Sequence, residues 1–302
     1  MLSYLHSFHA GNHADILKHV TLLYVLEYMN KKEKPYSFFD THAGRGLYNL
    51  KSAESEKTGE AENGICKLLK IAESDEKRIP EQLFPYLNFV KPFLKNNFYP
   101  GSPVFEVSFS KKNSFVSLNE LHKTEFSELQ KNINFINPDC GVGIQNVSGW
   151  ETLRKNLPPK INRGAILCDP SYEEKSDFTN AAEFLSFAHK KWSAATILLW
   201  YPLLQNKIEE IENMKQAIYA TAKNKDVHTE ILDAKLFVDS EQSHQETSLE
   251  NSIGSARPRL YGSGMFVVRP SWGLKEHLES VLPFLTEVLS RENNVKSEVD
   301  LF

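Results

Sequence analysis

Short apolar runs recur along this chain, each too brief for a helix and each handing over to turn residues before a helical pattern resumes. Tyr36-Ser37-Phe38-Phe39 ends at Asp40, Phe115 to Asn119 ends at Glu120, Val142 to Val147 follows, and Ala165 to Cys168 ends at Asp169. Strand alternating with helix in this way specifies an α/β fold, a mostly parallel sheet covered by helices on both faces. The first helix is expected over residues 13 to 30. Asn12 followed three residues later by Asp15 reads as an N-cap with a capping-box partner, and Ile16, Leu17, Val20, Leu23, Leu26 and Met29 recur at helical spacing.

Residues 52 to 98 break the rhythm. They are rich in Lys and Glu, are punctuated by Pro80, Pro85 and Pro92, and show helical spacing around Ile65 to Ile71 and Leu83 to Leu94 with no strand. The expected organisation is therefore one α/β domain, residues 1–51 and 99–302, carrying an inserted helical subdomain at 52–98. Beyond it the spacing predicts a helix after Ser102, a helix over 125–133, a helix near 178–191, a strand over 195–201 and a helix over about 204–221. Paired strands at 229–238 and 261–269 and a last helix over about 273–290 complete the chain. The stretch DSEQSHQETSLENSIGSARP, residues 239–258, has too little apolar surface to order itself and reads as a mobile loop, with an RNA-contacting lid as the alternative.

At 302 residues and 41% hydrophobic composition the chain can close a sizeable core. No apolar run reaches the roughly 18 residues of a membrane span, and MLSYLHSFHAGNHAD lacks the regions of a signal peptide, so a cytoplasmic location is the default expectation. Cys66, Cys140 and Cys168 are widely spaced and form no C-x-x-C pair, which disfavours a disulfide framework or a thiolate metal site. A net charge of −4 argues against wholesale polyanion binding but leaves room for a local basic face. The N-terminal segment, with Lys18, Lys31, Lys32 and Lys34 against Asp15, Glu27 and Glu33, is the least acidic neighbourhood. Its alternative reading is a solvated amphipathic helix.

In an open parallel sheet ligands sit beyond the carboxyl ends of the strands, which focuses attention on Asp40, Glu120 and Asp169. Gly44-Arg45-Gly46 allows a backbone to approach a ligand closely, and Glu120 is placed to accept hydrogen bonds from ribose hydroxyls, a structural carboxylate being the alternative. No G-x-x-x-x-G-K-[ST] occurs, and the loop is poorer in glycine than a dinucleotide G-x-G-x-x-G. The turn Asp169-Pro170-Ser171-Tyr172 offers a distinct chemistry. Adenine's exocyclic amine is a poor nucleophile because its lone pair is delocalised, and a carboxylate with a backbone carbonyl can hold its two N–H groups so that the nitrogen turns pyramidal. Asp169 and the carbonyl of Pro170 supply that pair and stabilise the positive charge that develops on nitrogen. Tyr172 is expected to stack on a base taken out of its helix. An ordinary strand-ending Asp-Pro turn is the other reading. His9 and His13 are four apart, as in helical zinc sites, but no H-E-x-x-H or nearby cysteine accompanies them, and no metal is expected. Lys18 and His19, a turn inside the first helix, are read as facing an anionic group.

The motifs YLHSFHAGNHADILKH (4–19), DTHAGRGLY (40–48), YPGSP (99–103), ELH (120–122), DPSYE (169–173) and LWYP (199–202) occur in this order. Together they resemble the RlmJ-type 23S rRNA adenine-N6 methyltransferases over nearly the whole chain. The resemblance implies a Rossmann-like S-adenosylmethionine-dependent methyltransferase fold with a small inserted helical subdomain, S-adenosyl-L-methionine as donor, and as acceptor the 6-amino group of a specific 23S rRNA adenine, position 2030 in the family. It places Lys18, His19, His42, Gly44, Ser102, Glu120, Ser148, Gly149 and Asp169 around the donor, makes Asp169, Pro170 and Tyr172 the catalytic turn, and lets Tyr4 touch the RNA. The segment from Tyr4 to Lys18 is expected to fold over the donor pocket. The sequence departs from the family pattern at Ser171, where a second proline is usual, and at Ser148, which stands where an aspartate precedes Gly149; the second departure puts donor affinity in question. The expected partner is 23S rRNA, protein-free or in an early assembly intermediate, bound by a monomer with neither membrane nor metal. Two rivals stay open: a DNA adenine-N6 methyltransferase, and a non-catalytic nucleic-acid-binding protein linked to DNA uptake. A nicotinamide-dependent dehydrogenase is more distant, since the DPSY turn gives hydride transfer no acid or base.

Overall fold

A computed structural model describes residues 5–240, 260–292 and 295–302. The side chain of Asn12 accepts a hydrogen bond from the backbone N–H of Asp15 (3.0 Å), so the cap read from the sequence opens helix α1, His13–Asn30. α1 is buried on nearly every side, polar residues included. Strand β1, Ser37–Asp40, follows and is buried along its whole length. β2 (Leu47–Asn49) leads into the expected helical stretch, which holds α2 (Ala53–Thr58), α3 (Lys67–Ser74) and α4 (Phe84–Leu94). β3 (Phe98–Pro100), α5 (Ser102–Phe109), β4 (Phe115–Asn119), α6 (Lys123–Ile136), β5 (Gly141–Gln145), α7 (Gly149–Asn156) and β6 (Gly164–Cys168) come next. The chain closes with α8 (Lys175–Lys191), β7 (Thr196–Leu203), α9 (Ile208–Lys225), β8 (Ile231–Phe237), β9 (Gly262–Val268), α10 (Leu274–Leu289) and β10 (Glu298–Leu301).

The main sheet has the order β10-β8-β9-β7-β6-β1-β4-β5. β5, β4, β1, β6 and β7 run parallel, whereas β9, β8 and β10 are added antiparallel. After β1 the chain builds outward through β4 and β5, then returns to the other side of β1 with β6, so the order reverses between β1 and β6. That reversal is the switch point at which doubly wound sheets bind ligands. The fold is Rossmann-like, and the expected class is the observed one.

Alternation along the strands divides the core into two layers. Phe38, Val116, Leu118, Ala165, Leu167 and Leu198 join α1, α5, α6 and α10 on one face; Phe39, Ile166, Cys168, Ile197 and Leu199 join α7, α8 and α9 on the other. With both faces covered, the central strands carry continuous apolar runs.

Four elements were not expected. β2 and β3 form a separate two-stranded ribbon, Tyr48 opposite Tyr99, where the helical stretch leaves and rejoins the α/β order. β10 pairs with the outer edge of β8, and α7 occupies the link between β5 and β6. Each is too short or too charged to show a period, and long-range pairing supplies what local pattern lacks. The helical stretch is tied to the start of α1: the Ile65 N–H donates to the Gly11 carbonyl (2.9 Å), and a Cβ at Gly64 would lie 2.1 Å from that oxygen. The polar stretch at 239–258 lies outside the described residues from 241 onward. Among the described residues no helix is long and apolar enough to cross a membrane.

Candidate active site

The ends of β1, β4 and β6 converge at the switch point. Asp40, wholly buried, accepts hydrogen bonds from the His42 N–H (2.9 Å) and the Ser102 hydroxyl (2.8 Å), and burial pushes its carboxyl up to about 6. Glu106 beside it is pushed well above the carboxylate range by burial and by Asp40. Gly44, at φ +60, turns its N–H onto Glu120 (2.8 Å), whose other oxygen accepts from the His122 N–H (2.6 Å). Arg45 makes a two-pronged contact with the buried Glu125 (2.8 and 2.6 Å), fixing the same loop to the first turn of α6. Asn119, at the end of β4, donates to the Asp40 carbonyl and accepts from Thr152 of α7 (both 2.8 Å). α7 thereby presses Gly149 against Thr41, and Trp150 meets the His42 ring edge-on at 4.8 Å. Burial brings His42 down to about 4, so that its imidazole is neutral at pH 7.

Asp169 follows β6, its side chain 15% exposed. The Lys18 ammonium donates to it and, at 2.9 Å, also contacts Asp15. Burial opposes the charge on Lys18, yet these two carboxylates hold it above the ordinary lysine range. Asp15 is buried as well, and His6 and Lys18 overcome that burial to hold it well below the carboxylate range.

A cleft opens at these strand ends, with about 1050 Å³ of empty space when its open mouth is included. Of the residues singled out from the sequence, Lys18, His42, Gly44, Ser102, Glu120, Ser148, Gly149, Asp169 and Pro170 all face it. A second cleft opens on the other side of Asp169, lined by His6, Lys18, Asp169, Ser171, Tyr172, Trp200 and Pro202 among others. Asp169, Ser171, Lys18 and His6 are common to both.

Two expectations are corrected. His19 is absent from both cleft walls: it is wholly buried, its ring 4.8 Å from Phe105 and its Nδ1 2.8 Å from the Tyr99 hydroxyl. Adjacent helical residues are turned by roughly 100°, so a helix that directs Lys18 into the cleft directs His19 into the core. Tyr172 borders the second cleft but is only 5% exposed. Its ring packs 4.6 Å from Phe178, its hydroxyl donates to the Trp200 carbonyl (2.8 Å), and its φ of +54 turns the chain inward, so no face is free to receive a base. Tyr4 lies outside the described residues. His9 is engaged by Glu60 (2.9 Å) and His13 is half-buried. Asp15, Trp200, His6 and Trp150 were not singled out. Asp15 was legible only as a cap, and Trp200 only as part of LWYP.

The site's residues fit an adenosyl sulfonium donor. Glu120, though held by two backbone N–H groups, retains lone pairs for ribose hydroxyls. The backbone approaches closely at Gly44, where a Cβ would lie 2.3 Å from the Tyr48 hydroxyl. The polar floor is rich in carboxylates, suited to a cation.

The family model described as "Ribosomal RNA large subunit methyltransferase D, RlmJ" matches residues 33–300. The "Ribosomal RNA large subunit methyltransferase J" of Haemophilus influenzae is 34% identical over 97% of this chain and 95% of its own, and that of Escherichia coli is 34% identical over 94% and 93%. A crystal structure of a protein from Legionella pneumophila superposes with a TM-score of 0.76 at 26% identity, covering 97% of this chain and 98% of its own. The chain belongs to the RlmJ family of ribosomal RNA large subunit methyltransferases.

Proposed function

We propose that this protein transfers a methyl group from S-adenosyl-L-methionine to the 6-amino group of one adenine of 23S rRNA, position 2030 in the family. The observation that carries the reading is the position of Asp169, which lines both a cleft suited to the donor and a second cleft bordered by Trp200, with Pro170 beside it on the donor side.

Lys18 engages one oxygen of Asp169, Oδ2, which leaves Oδ1 to accept an N–H of the target amine. The Pro170 carbonyl accepts the other N–H. Held by two acceptors, the nitrogen loses conjugation with its ring and gains a directed lone pair, and the acceptors stabilise its growing positive charge. When bound, the donor would supply a methyl carbon made electrophilic by a sulfonium: its carbon–sulfur bond would break as the carbon–nitrogen bond forms, a neutral thioether would leave, and the nitrogen would then give up one N–H proton to solvent. Glu120, the Gly44 loop, Ser102 and Ser148-Gly149 position it, while neutral His42 adds no repulsion. Trp200 takes the stacking role first given to Tyr172, and Tyr172 holds Trp200 in place through its backbone carbonyl.

In this reading residues 52–98 form a helical subdomain hinged on the β2–β3 ribbon, and Tyr4 contacts the RNA. The protein acts in the cytoplasm as a monomer, without metal, on 23S rRNA before or early in assembly. Mass-spectrometric mapping of rRNA from cells lacking the protein tests this. One 23S adenine should lose its N6-methyl group; rRNA with an unchanged methylation pattern overturns the proposal.

A further inference from the structure

We infer that Asp15 is a further positioning residue of the transfer reaction, holding Lys18 from behind and leaving the acceptor site with one negative charge in excess. The inference rests on the sulfonium-donor reading above.

Asp15 stands in the first turn of α1, where the helix N-terminus favours a carboxylate. Its side chain is 1% exposed, and three groups donate to it: the His6 imidazole (2.9 and 3.0 Å), the Gly11 N–H (2.9 Å) and the Lys18 ammonium (2.9 Å). A carboxylate needed only as a cap would not require a buried lysine one turn later. Lys18 spans from Asp15 to Asp169, so that two carboxylates share one ammonium. With Asp169 alone as partner, the ammonium would cancel the charge that faces the donor and the reacting nitrogen. With Asp15 behind it, the trio carries a net charge of −1. The remaining groups nearby do not offset this. Burial and Asp40 push Glu106 toward its neutral form, Asp40 adds negative charge above about 6, and burial keeps His19 and His42 neutral.

A positive sulfonium should feel this excess, whereas the thioether of S-adenosylhomocysteine should not. The experiment is calorimetric binding of both molecules to the full-length protein at a pH of about 8.5. For Asp15→Asn, affinity for S-adenosylmethionine should fall about tenfold, the effect of one unit charge about 12 Å away at an effective dielectric near 20. Affinity for S-adenosylhomocysteine should change by less than about twofold. Asp15→Glu, which keeps the charge, should preserve the wild-type ratio, and Lys18→Met, which removes the opposing charge, should shift the ratio toward S-adenosylmethionine. The Lys18→Met arm stands even if Asp15→Asn fails to fold. Equal losses for both molecules in Asp15→Asn, or an unmoved ratio in Lys18→Met, overturn the inference and assign Asp15 a purely structural part. If the wild-type protein binds neither molecule, the donor reading itself falls, and this inference with it.

Discussion

Replacing Gly149 by alanine tests how tightly the donor cleft is built. A Cβ there would lie 2.2 Å from the Thr41 carbonyl oxygen, 2.5 Å from its Cα and 2.6 Å from its Cβ, all below the 3.0 Å that real Cβ contacts respect. Neither side yields easily. Thr41 is pinned to β6, its N–H (3.0 Å) and hydroxyl (3.1 Å) both donating to the Leu167 carbonyl, and its hydroxyl lies 2.8 Å from His42 Nδ1. α7 is pinned by the Thr152–Asn119 hydrogen bond of 2.8 Å. Relief requires a shift of about 1 Å, and overpacking of that kind costs about 1–3 kcal/mol. If the cleft alone takes up the strain, donor affinity falls roughly 5- to 150-fold. Calorimetry with S-adenosylmethionine, paired with thermal unfolding with and without ligand, measures both parts of the cost. Gly59→Ala is the matched control: its φ is +63 but nothing lies within 4 Å of an added Cβ, so it should lose about 1–2 kcal/mol of stability and leave donor binding alone. Donor affinity within about twofold of wild type for Gly149→Ala, with an unchanged midpoint of unfolding, would refute the reasoning.

Trp200→Ala should weaken RNA binding by about 1–3 kcal/mol, the range measured for base–aromatic stacking, without altering donor affinity; a filter-binding titration run beside calorimetry separates the two. Glu125→Ala leaves the Arg45 guanidinium without the carboxylate that fixes the Gly44 loop. It should cost about 1.5–3 kcal/mol in chemical denaturation and weaken the donor as well. His277 is half-buried beside Tyr24, with a buried and unpartnered Nε2, and burial lowers it from 6.5 to about 4. Between those values the unfolded chain binds a proton that the folded chain refuses, so stability present above 6.5 is lost as the pH falls toward 4. His277→Phe removes that dependence, and its stability relative to wild type should be about 2 kcal/mol more favourable at a pH of about 5 than at about 8, as read by urea denaturation.

The elements that build the site were legible because each carries its own local signal. Asn12 and Asp15 mark the start of α1, and the apolar runs before Asp40, Glu120 and Asp169 mark the three strands whose ends meet. The β2–β3 ribbon and β10 were not, since Tyr48 opposite Tyr99 and Glu298 opposite Lys235 are pairings across long stretches of chain that no local window holds. The two misplaced side chains differ in kind. His19 was excluded in advance by the turn of a helix, given that Lys18 faces the cleft. Tyr172 was not, because its positive φ comes from the packing of Phe178 and Trp200 around it. Asp15 shows a third case. Its capping role is visible in sequence, but its bond to Lys18, and through Lys18 to Asp169, exists only in the folded chain.

Single-turnover methyl transfer to protein-free 23S rRNA by Asp169→Asn bears most directly on the proposal that this carboxylate grips the target amine. The isosteric amide keeps the shape of the turn but offers an N–H where the substrate needs an acceptor. The rate should fall by about 10²–10³-fold or more while the midpoint of unfolding stays near that of the wild type. Transfer at close to the wild-type rate would contradict the account.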